Sequence, residues 1–586
     1  MSLRIWAPKA QRVELVVDEH RRPMQASDRG WWVSEDPAPV ADMDYAVSLD
    51  GAAPVPDPRS EQLPHGVHGT GRRVDHAAFE WHDAGFRPPP WPTAVVYELH
   101  VGTFSAQGTF DGAIAHLGHL VDLGVTHVEL MPVHAFPGHH GWGYDVAGFF
   151  AVHEPYGGPD GLKRLVDACH ARGLAVLLDV VYNHLGPEGC YLSHFGPYVT
   201  ERFHTPWGSA VNLGDPGADE VRRFILDNAL MWLRDYHLDG LRIDAVHAFV
   251  DLTATHLLEE LAVAVADLGE ELGRDLVLVA ESDLNDPRIV RSRDLGGYGI
   301  DAQWSDDLHH AVHTALTGER DGYYADFDGL RDLVTALRQV WVYDGRYSAS
   351  RGRRHGRSAD GLPLERFVGF AQNHDQVGNR ARGERLSQLV DERALRVAAA
   401  LIICGPSVPL LFQGEEWAAR TPFMFFADFS DEALASAVRR GRREEFAAFG
   451  WRPDDVPDPT AIETFEASRL DWSEVRRPPH ADVLAWYRRL IALRRSSRGL
   501  PGSERPDVWA GVDEGWLVVT VGELRVAANL SSQAAVALDL AVMPQAWPPQ
   551  EPAAVSDPAV RMSGDRLLLP AMTVAVFRRD EERPDG

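Results

Sequence analysis

Cysteine and long apolar runs are both scarce in this sequence. The three cysteines among 586 residues, Cys169, Cys190 and Cys404, form no CxxC pair, which argues against a disulfide framework and favours a reducing interior. No stretch approaches the roughly 18 apolar residues that a membrane-spanning helix needs. Residues 1–8 also lack the basic segment and apolar run of a signal peptide. We therefore expect a cytoplasmic protein without membrane association.

Basic charge is also in deficit. The 57 Lys and Arg residues are outnumbered by 86 Asp and Glu residues, which leaves a formal net charge of −29. Such a balance argues against nucleic acid or an anionic membrane as a partner. It is compatible with a neutral substrate, but surface solvation alone explains it, so the charge predicts no function by itself.

The chain is long enough for several domains. Residues 1–85 contain short strand-like runs between polar turns, such as Val13–Val17, and predict an N-terminal β-sandwich. Four prolines within residues 86–92 indicate a stiff linker, because proline disrupts strand pairing. Residues 92–495 form the largest segment. After about residue 500 the runs become strand-like again and predict a C-terminal antiparallel β-sandwich over residues 500–586.

The central segment alternates strand-like and helix-like stretches. Eight nearly continuous apolar runs, typical of strands covered on both faces, are separated by helical patterns. Eight such units predict an α/β fold, a closed (β/α)8 TIM barrel. An open doubly wound sheet is disfavoured, because no glycine-rich phosphate turn follows the first run. The predicted strands are Val95–Leu99, His127–Met131, Ala175–Val180, Gly240–Asp244, Val277–Ala280, Asp301–Trp304, Phe367–Ala371 and Val408–Phe412.

Two insertions interrupt the predicted barrel. The first, residues 185–214 after strand three, is rich in glycine, proline, histidine and aromatic residues. The second, residues 343–366 before strand seven, contains a basic run over residues 351–357. We interpret that run as a solvated loop in preference to an anion site.

Three acids follow the ends of three predicted strands. Asp244, Glu281 and Asp375 stand after strands four, five and seven, at the end of a barrel that carries its chemistry. Retaining glycoside cleavage needs two carboxyl groups about 5 to 5.5 Å apart, one a nucleophile and one a proton donor. Strands four and five are neighbours, so Asp244 and Glu281 are predicted to meet across that gap. Structural salt bridges at the strand ends are the alternative.

The residues around these acids predict which role each one takes. Arg242 lies two residues before Asp244, on the same side of its strand, where a guanidinium favours the ionised form that a nucleophile needs. Glu281 follows an apolar run, residues 276–280, which excludes water and raises the pKa of a carboxyl group. We therefore predict Asp244 as the nucleophile and Glu281 as the proton donor.

Two histidines follow strand ends on the same rim. His184 follows strand three and His374 follows strand seven, where they are suited to hydrogen-bond the hydroxyls of a sugar. A zinc site formed by His184, His247 and His374 is the competing interpretation. No HExxH motif or close His–x–His spacing occurs among them, so we predict no metal site.

Four segments resemble, in order, the four signature regions of the α-amylase superfamily of retaining glycoside hydrolases. The resemblance implies that Asp244 is the nucleophile, Glu281 the general acid/base and Asp375 the acid that fixes the sugar and stabilises the transition state. It also implies sugar contacts for Tyr144, His184, Arg242, His247 and His374. The four segments are Asp179–His184, Gly240–His247, Ala280–Ser282 and Phe370–Asp375.

The N-terminal segment and three further stretches refine the resemblance. Trp6-Ala7-Pro8 with the strands after it resembles the carbohydrate-binding N-terminal module of isoamylases and branching enzymes. Residues 203–208, 304–310 and 412–426 resemble the maltooligosyltrehalose trehalohydrolases, which cleave the α-1,4 bond next to a terminal trehalose. This implies an oligosaccharide substrate and pairing with an enzyme that forms maltooligosyl trehalose. The substrate contacts it implies are Trp304, Asp306, Asp307, His309, His310, His374, Gln376 and Asn379, with Trp207 as a second stacking face.

One departure from many α-amylases concerns calcium. Those enzymes hold the ion between an extended loop domain after strand three and the region that matches Asn183. The corresponding insertion here spans residues 185–214 and contains only two acids, Glu188 and Glu201, with Asp215 at its edge. A high-affinity site usually gathers more carboxylates. We therefore predict no obligatory calcium, and no other cofactor.

Alternatives remain in two function classes. A glycogen branching or debranching enzyme shares the barrel and the N-terminal module, so it is the neighbouring enzyme function. A non-catalytic glucan-binding protein with an amylase-like barrel is the alternative outside the enzyme class. The presence of all three acids, Asp244, Glu281 and Asp375, argues against a protein that has lost its activity.

Overall fold

The computed structural model describes residues 2–37, 41–447, 452, 455–498, 500, 505–542 and 551–579. Across these ranges, no helix has both the length and the apolar character that crossing a membrane requires. All three cysteines are free thiols, and Cys169 and Cys404 are buried. Noncovalent packing therefore holds the described parts of the chain together.

Eight parallel strands close into a barrel, which confirms the predicted fold. The last strand pairs with the first, with Leu410–Phe412 against Val96–Glu98, so the sheet has no open edge. Every strand lies where an apolar run predicted it, with each end shifted by at most one residue. The strands are Val96–Leu99, His127–Leu130, Ala175–Val180, Gly240–Ile243, Val277–Ala280, Ala302–Trp304, Phe367–Phe370 and Val408–Phe412.

Helices lie between the strands and after the last strand, and most of them pack apolar side chains into one continuous core with the barrel. The longer ones are Gly158–His170, Ala218–Asp235, Leu257–Leu272, Asp306–Thr317, Leu330–Gln339, Glu392–Ile403, Glu432–Ala447 and His480–Ser496. The shorter ones are Val101–Phe104, Phe110–Ile114, Leu117–Leu123, Leu192–Phe195, His374–Gly378, Leu386–Leu389 and Ile462–Ala467.

One predicted helix begins later than its pattern indicates. The apolar spacing predicts a helix from Leu252, but the helix begins at Leu257. The carboxylate of Asp251 accepts hydrogen bonds from the backbone N–H of Thr253 and Leu257 and pairs with Arg222 at 2.7 Å. These bonds hold residues 251–256 as a loop, because an aspartate side chain competes with the helical backbone for its donors.

Five strands form the N-terminal sheet: Ser2–Trp6, Val13–Val17, His20–Ala26, Trp31–Pro37 and Ala46–Leu49. The third strand pairs with the second through residues 20–23 and with the fourth through residues 24–26. The buried Trp6 packs edge-on against Tyr198 at 5.4 Å between ring centres. The N-terminal sheet is therefore docked on the first barrel insertion.

The C-terminal segment is a sandwich of two antiparallel sheets, as predicted. A shared core that includes Val518, Leu538, Leu567 and Phe577 lies between them. One sheet contains Asp507–Gly511, Trp516–Val521, Leu524–Asn529, Thr573–Arg578 and Ala554–Val555, and the other Val536–Asp539, Arg566–Leu569 and Arg561–Ser563. The domain boundaries at residues 85, 92, 495 and 500 stay predictions.

Each barrel insertion contains an antiparallel hairpin. Val199–Thr205 pairs with Gly208–Val211 in the first, and Asp344–Ser348 pairs with Arg353–Gly356 in the second. The turn of the first hairpin carries Trp207, which is 47% exposed. A third hairpin, His134–Ala135 with Gly148–Val152, spans the segment that contains Tyr144. These hairpins bring side chains from outside the barrel to the ends of its strands.

Candidate active site

The three predicted acids follow barrel strands four, five and seven at their C-terminal ends. Asp244 comes directly after Gly240–Ile243, and Glu281 directly after the neighbouring strand Val277–Ala280. The backbone N–H of each donates to the strand beside it at 3.0 Å. Asp375 lies in the short helix His374–Gly378. Because the backbone hydrogen bonds of the sheet extend to Asp244 and Glu281 themselves, they fix the main-chain positions from which the two side chains project.

The buried guanidinium of Arg242 contacts three carboxylates. Its Nη1 lies 2.8 Å from Asp244 Oδ1 and 2.7 Å from Asp179 Oδ2. Its Nη2 lies 3.2 Å from Glu281 Oε2. Asn183 Nδ2 donates to the second oxygen of Asp244 at 3.0 Å. Because a guanidinium is a rigid planar fork, Arg242 places Asp244 and Glu281 side by side and orients them.

Burial raises the pKa of Glu281, although the charge of Arg242 opposes that effect. The backbone N–H of Ala245 donates to Glu281 Oε2 at 2.6 Å. Ala245 has a left-handed backbone conformation, with φ of 40°, which is uncommon for a residue with a side chain and is typical of functional sites. The raised pKa agrees with the prediction from the apolar run and suits a proton donor.

Asp375 and His374 form a charged pair. His374 Nε2 lies 3.5 Å from Asp375 Oδ1, and Asn379 Nδ2 lies 3.3 Å from the same oxygen. Burial raises the pKa of Asp375, whereas the charge of His374 lowers it. For His374, burial lowers the pKa, but the charges of Asp375 and Glu98 outweigh burial and raise the pKa to about 9. His374 is therefore a cation at neutral pH.

Aromatic rings surround the acids. The hydroxyl of Tyr144 lies 2.6 Å from Asp179 Oδ2 and 2.7 Å from His374 Nε2, and its ring stacks on His374 with 5.3 Å between centres. His184 Nε2 contacts the Tyr144 carbonyl oxygen at 3.0 Å. Trp207 stacks on His184 at 5.4 Å. Such flat apolar surfaces beside carboxylates suit a sugar ring, which has an apolar face and a hydroxyl edge.

The acids open into a cleft of about 400 Å³. A larger cavity of about 910 Å³ lies between Trp6 and the helix that begins at Ala218, and it contains none of the three acids. The chemistry of the lining, and not cavity size, therefore identifies the site. The cleft is lined by Trp142, Tyr144, His184, Trp207, Asp244, Ala245, Glu281, Asp375, Asn379, Phe425, Val438, Arg442 and Glu445.

One wall of the cleft comes from the helix Glu432–Ala447, in which no predicted site residue lies. Arg442 on this helix donates from Nη2 to the carbonyl oxygen of Gly378 at 2.6 Å and from Nη1 to Asn379 Oδ1 at 3.3 Å. It therefore supports the segment that carries Asp375. No motif marks Arg442, because its contacts reach residues more than sixty positions away.

A second group of side chains lies near Glu281 and near Asp283, two residues after it. Asp283 accepts a hydrogen bond from Arg351 Nη1 at 2.9 Å. Burial, together with the charges of Glu281 and other acids, raises the pKa of Asp306 well above its usual range. Burial lowers the pKa of His310 to about 3. A neutral carboxyl group and a neutral imidazole each donate and accept hydrogen bonds, which suits the hydroxyls of an uncharged sugar.

The four arginines of residues 351–357, Arg351, Arg353, Arg354 and Arg357, are exposed, in agreement with the interpretation of this run as solvated, whereas His355 is buried. The guanidinium of Arg351 also pairs with Asp283, two residues after Glu281, and lies 5.8 Å from the ring centre of Tyr343. A charge run in the sequence does not show which of its members a hairpin turns towards the barrel.

The prediction that Trp304 stacks on a sugar is wrong. Trp304 is 1% exposed and belongs to the core inside the barrel. The guanidinium of Arg242 covers its ring, 4.2 Å from the ring centre. Trp304 therefore supports Arg242 from below through a cation–π contact, and substrate has no access to it.

Asp307 and His309, two further predicted contacts, are also wrong as direct sugar contacts. Asp307 accepts a hydrogen bond from the backbone N–H of Tyr343 at 2.8 Å. His309 uses both ring nitrogens, on the Ala371 carbonyl oxygen at 2.7 Å and on the Tyr324 hydroxyl at 3.0 Å. Both residues lie in one helix, where successive side chains point in different directions. Of the predicted set on this helix, Asp306 remains near Glu281, and His310 remains near Asp283.

The remaining predicted contacts lie around the same acids. His247 is half-buried, and its charge lowers the pKa of Glu281 in opposition to burial. Gln376 is half-buried next to Asp375, and its backbone N–H donates to Asn373 Oδ1 at 2.9 Å. Asn379 is exposed in the cleft wall. The structure thus brings these three residues to the rim, and their roles stay predictions.

The histidines of the alternative zinc site are engaged with protein groups. His184 contacts Asn183 Oδ1 at 2.7 Å and the Tyr144 carbonyl oxygen at 3.0 Å. His374 Nδ1 contacts Glu98. Within the described ranges, no group of three or more His, Cys, Asp or Glu side chains is placed to hold a metal ion. The described residues therefore do not provide the arrangement of donor atoms that a zinc site would need.

Comparison with known proteins identifies relatives along nearly the whole chain. The family model for the alpha amylase catalytic domain matches residues 76–196. A malto-oligosyltrehalose trehalohydrolase from Arthrobacter ramosus is 52% identical over 553 residues, which cover 89% of this chain and 96% of that protein. A malto-oligosyltrehalose trehalohydrolase from Rhizobium sp. (strain M-11) is 46% identical over 585 residues, which cover 98% and 97%.

One solved structure resembles the fold along nearly the whole chain. The crystal structure of a putative alpha amylase from Salmonella typhimurium matches with a TM-score of 0.89 and 36% sequence identity. The match covers 99% of this chain and 97% of that one. The similarity therefore includes both terminal sheets as well as the barrel.

Proposed function

The chain belongs to the malto-oligosyltrehalose trehalohydrolases of the α-amylase family, and we propose that it releases free trehalose from maltooligosyl trehalose. It does so by hydrolysing the α-1,4 bond next to the terminal trehalose. One observation carries the chemistry: Asp244 and Glu281 both contact the buried guanidinium of Arg242, and burial raises the pKa of Glu281. A pair of carboxyl groups in different protonation states is what retaining cleavage requires.

In the first step Asp244 attacks the anomeric carbon of the sugar to be cleaved. Glu281 donates its proton to the glycosidic oxygen, so trehalose leaves as a neutral alcohol and Asp244 carries the glycosyl group as an ester. Arg242 orients one oxygen of Asp244 and Asn183 the other. Both carboxyl groups therefore start close to their reacting positions, which lowers the entropic cost of the step.

In the second step Glu281, now a carboxylate, removes a proton from water. The water attacks the same carbon, Asp244 leaves as a carboxylate, and the α configuration is restored. The charge of Arg242 lowers the pKa of Glu281 and so stabilises this carboxylate form. A group that acts first as an acid and then as a base needs one influence that raises its pKa and another that lowers it.

The cleaved sugar is held from its other edge by Asp375 and Tyr144, with His374 behind them. Asp375 offers an acceptor to the sugar hydroxyls, whereas both ring nitrogens of His374 are engaged, Nδ1 with Glu98 and Nε2 with the Tyr144 hydroxyl. The ring of Tyr144 lines the cleft next to them. These groups bind the sugar while positive charge develops at its anomeric carbon, and the negative charge of Asp244 stabilises that charge.

The leaving trehalose occupies the side of the cleft on which Glu281 lies, because Glu281 protonates the bond to it. Asp306 lies near Glu281 on that side, and His310 and Arg351 lie near Asp283, two residues after Glu281. An α,α-1,1 link presents its hydroxyls in other directions than an α-1,4 chain does. A wrong sugar therefore leaves the half-buried Asp306 or His310 without a hydrogen-bond partner, at a cost of up to about 3 kcal/mol for each group.

Asp306→Ala should reduce the preference for trehalose ends. We expect the ratio of kcat/KM on maltooligosyl trehalose to kcat/KM on a maltooligosaccharide of equal length to fall about tenfold, which corresponds to roughly 1.4 kcal/mol. The physical reason is that Asp306 is half-buried near Glu281, and no hydrogen bond to another described residue occupies its carboxyl group. The two rates are measured on the same enzyme preparation.

Asp321→Ala is the matched control. Asp321 is exposed, lies beyond the same helix, and makes no capping hydrogen bond through its side chain. It should leave the ratio unchanged. If Asp306→Ala lowers both rates equally, Asp306 does not distinguish the two leaving groups, and another residue performs the selection.

Two related proposals follow from the substrate. An enzyme that converts the reducing end of a maltooligosaccharide into a trehalose unit must supply this substrate, so we propose functional pairing with such an enzyme. The branching or debranching alternative has no specific support, since trehalohydrolases match the chain at 46–52% identity over most of its length. The non-catalytic alternative is opposed by the complete arrangement of Asp244, Glu281 and Arg242.

A further inference from the structure

A buried acid outside the lining of the cleft, Glu98, contacts His374 and has no part in the mechanism above. It belongs to the first barrel strand, and its side chain is 1% exposed. One oxygen accepts the backbone N–H of His374 at 2.9 Å, and the other contacts His374 Nδ1. A single carboxylate thus binds both the main chain and the ring of His374.

These contacts determine the direction of the hydrogen bonds beyond His374. Because Nδ1 donates to Glu98, Nε2 is the ring nitrogen that faces the Tyr144 hydroxyl at 2.7 Å. The Tyr144 hydroxyl lies 2.6 Å from Asp179 Oδ2, and a carboxylate accepts. Tyr144 therefore donates to Asp179 and accepts from His374, which requires a proton on both ring nitrogens.

The chain of hydrogen bonds ends at the nucleophile. Asp179 Oδ2 also accepts from Arg242 Nη1 at 2.7 Å, and the same nitrogen donates to Asp244 Oδ1 at 2.8 Å. Glu98 is therefore connected to Asp244 through a series of hydrogen bonds in which the donor and the acceptor of each bond are fixed by the bonds beside it. A change at Glu98 reverses or breaks the bonds that orient Tyr144 and the histidine.

We propose that Glu98 is a positioning residue for glycoside cleavage, which holds His374 as a doubly donating imidazolium and thereby fixes Tyr144 and Asp375 around the sugar. This inference rests on the proposed function, since it requires those residues to contact the sugar that is cleaved. Glu98 itself contacts no substrate. Its effect passes through His374.

The charges around His374 agree with this role. Burial lowers the pKa of His374, but Asp375 and Glu98 raise it to about 9, against a smaller opposing effect of Arg242. Loss of the charge at Glu98 removes one of the two raising influences. The titratable and charged groups that face His374 are Glu98, Asp375, Tyr144, Arg242, Asp179, Glu129 and His100.

The neighbouring strand offers a matched control at Glu129. Glu129 is paired with Glu98 in the strand register and is 2% exposed. Burial raises the pKa of Glu129 well above its usual range. Its Oε1 has no hydrogen-bond partner among the described residues. Glu129→Gln therefore makes the same exchange at the same depth without removing a hydrogen bond to His374, whereas Glu98→Gln changes the group that contacts both the main chain and the ring of His374.

The experiment measures the first step alone, as a function of pH. Glu281→Gln is used as the background, with an aryl maltooligosaccharide whose acidic leaving group needs no proton, so that titration of Glu281 does not contribute. The burst of aryl alcohol is followed from pH 6 to 10.5. Each sample is returned to pH 7 afterwards, and its recovered rate separates titration from unfolding.

With Glu98 intact, the rate should fall as pH rises through about 9. The reason is that His374, whose pKa is raised to about 9, is charged below that pH and loses its proton above it. Glu98→Gln should move this fall to lower pH by one unit or more and lower the rate at pH 7 at least tenfold. Glu129→Gln should leave the fall in place. Identical pH profiles for Glu98→Gln and Glu129→Gln would overturn the proposal.

A second variant tests the same proposal if Glu98→Gln does not fold. His374→Gln, with Glu98 intact, should abolish the fall near pH 9, since the titrating group is gone. A fall that persists would show that His374 is not the group that Glu98 controls. Failure of the wild-type enzyme to hydrolyse any α-1,4-glucan would instead reject the proposed function, and the two failures are therefore distinguishable.

Discussion

Asp244→Asn is expected to lower turnover of maltooligosyl trehalose by roughly 10³-fold or more. An amide does not form the glycosyl ester on which retaining cleavage depends. Asparagine keeps the volume of the side chain, and its oxygen still accepts the hydrogen bond from Arg242 that now lies at 2.8 Å. Stability and glucan binding should therefore stay close to those of the wild type. Initial rates and equilibrium binding of a maltooligosaccharide measure the two effects separately.

Asp360→Asn provides the control for this prediction. Asp360 is exposed and lies outside the cleft, so the same exchange should change neither rate nor binding. Retention of more than about a tenth of the wild-type rate by Asp244→Asn would show that another group is the nucleophile. Loss of both rate and binding would indicate a folding defect, which circular dichroism would reveal.

Glu281→Gln is expected to lose roughly 10³-fold on the natural substrate but far less of the first-step rate on an activated aryl glycoside. Trehalose is a poor leaving group and needs the proton, whereas an acidic phenol departs without it. Burial raises the pKa of Glu281, so the wild-type first step should slow as pH rises through that pKa, where the acid loses its proton. This slowing should be absent in Glu281→Gln with the aryl substrate.

The result that contradicts the general-acid role is an equal loss on both leaving groups. Ser282→Ala serves as the neighbouring control. Ser282 is buried next to Glu281 but contributes no carboxyl group, so it should show no dependence on the leaving group. A leaving-group effect in Glu281→Gln alone would assign the proton to Glu281.

The barrel and its acids are predictable because both depend on local patterns. A strand buried on both faces must be an apolar run, and the first polar residue after it lies at the end of the sheet. All eight strands and the positions of Asp244 and Glu281 follow from that rule. The pKa of Glu281 follows too, since the apolar run before it is the part of the barrel that excludes water.

Contacts on one helix were predicted less well, because a motif does not show which way each side chain points. Five residues of this stretch were assigned to the substrate together: Trp304, Asp306, Asp307, His309 and His310. In the structure Trp304 lies under Arg242, and Asp307 and His309 bind the protein, while Asp306 lies near Glu281 and His310 near Asp283. A helix beginning at Asp306 distributes consecutive residues around its axis.

Two residues were missed for different reasons. Arg442 reaches the cleft from a helix after the last barrel strand, and only the folded chain brings it to Asn379. Glu98 was visible in the sequence, since it is a charged residue inside the apolar run of the first strand. A charge in such a run must be paired or neutralised in the barrel interior, and that argument alone would have marked it.

The identity of the released product tests the central claim most directly. The wild-type protein is incubated with maltooligosyl trehalose and, separately, with a maltooligosaccharide of equal length, and the products are separated and identified. We expect free trehalose from the first substrate, at a rate well above hydrolysis of the second, with no new α-1,6 links. New α-1,6 links formed from amylose, or cleavage of α-1,6 links without any release of trehalose, would contradict the proposed function and indicate a branching or debranching enzyme.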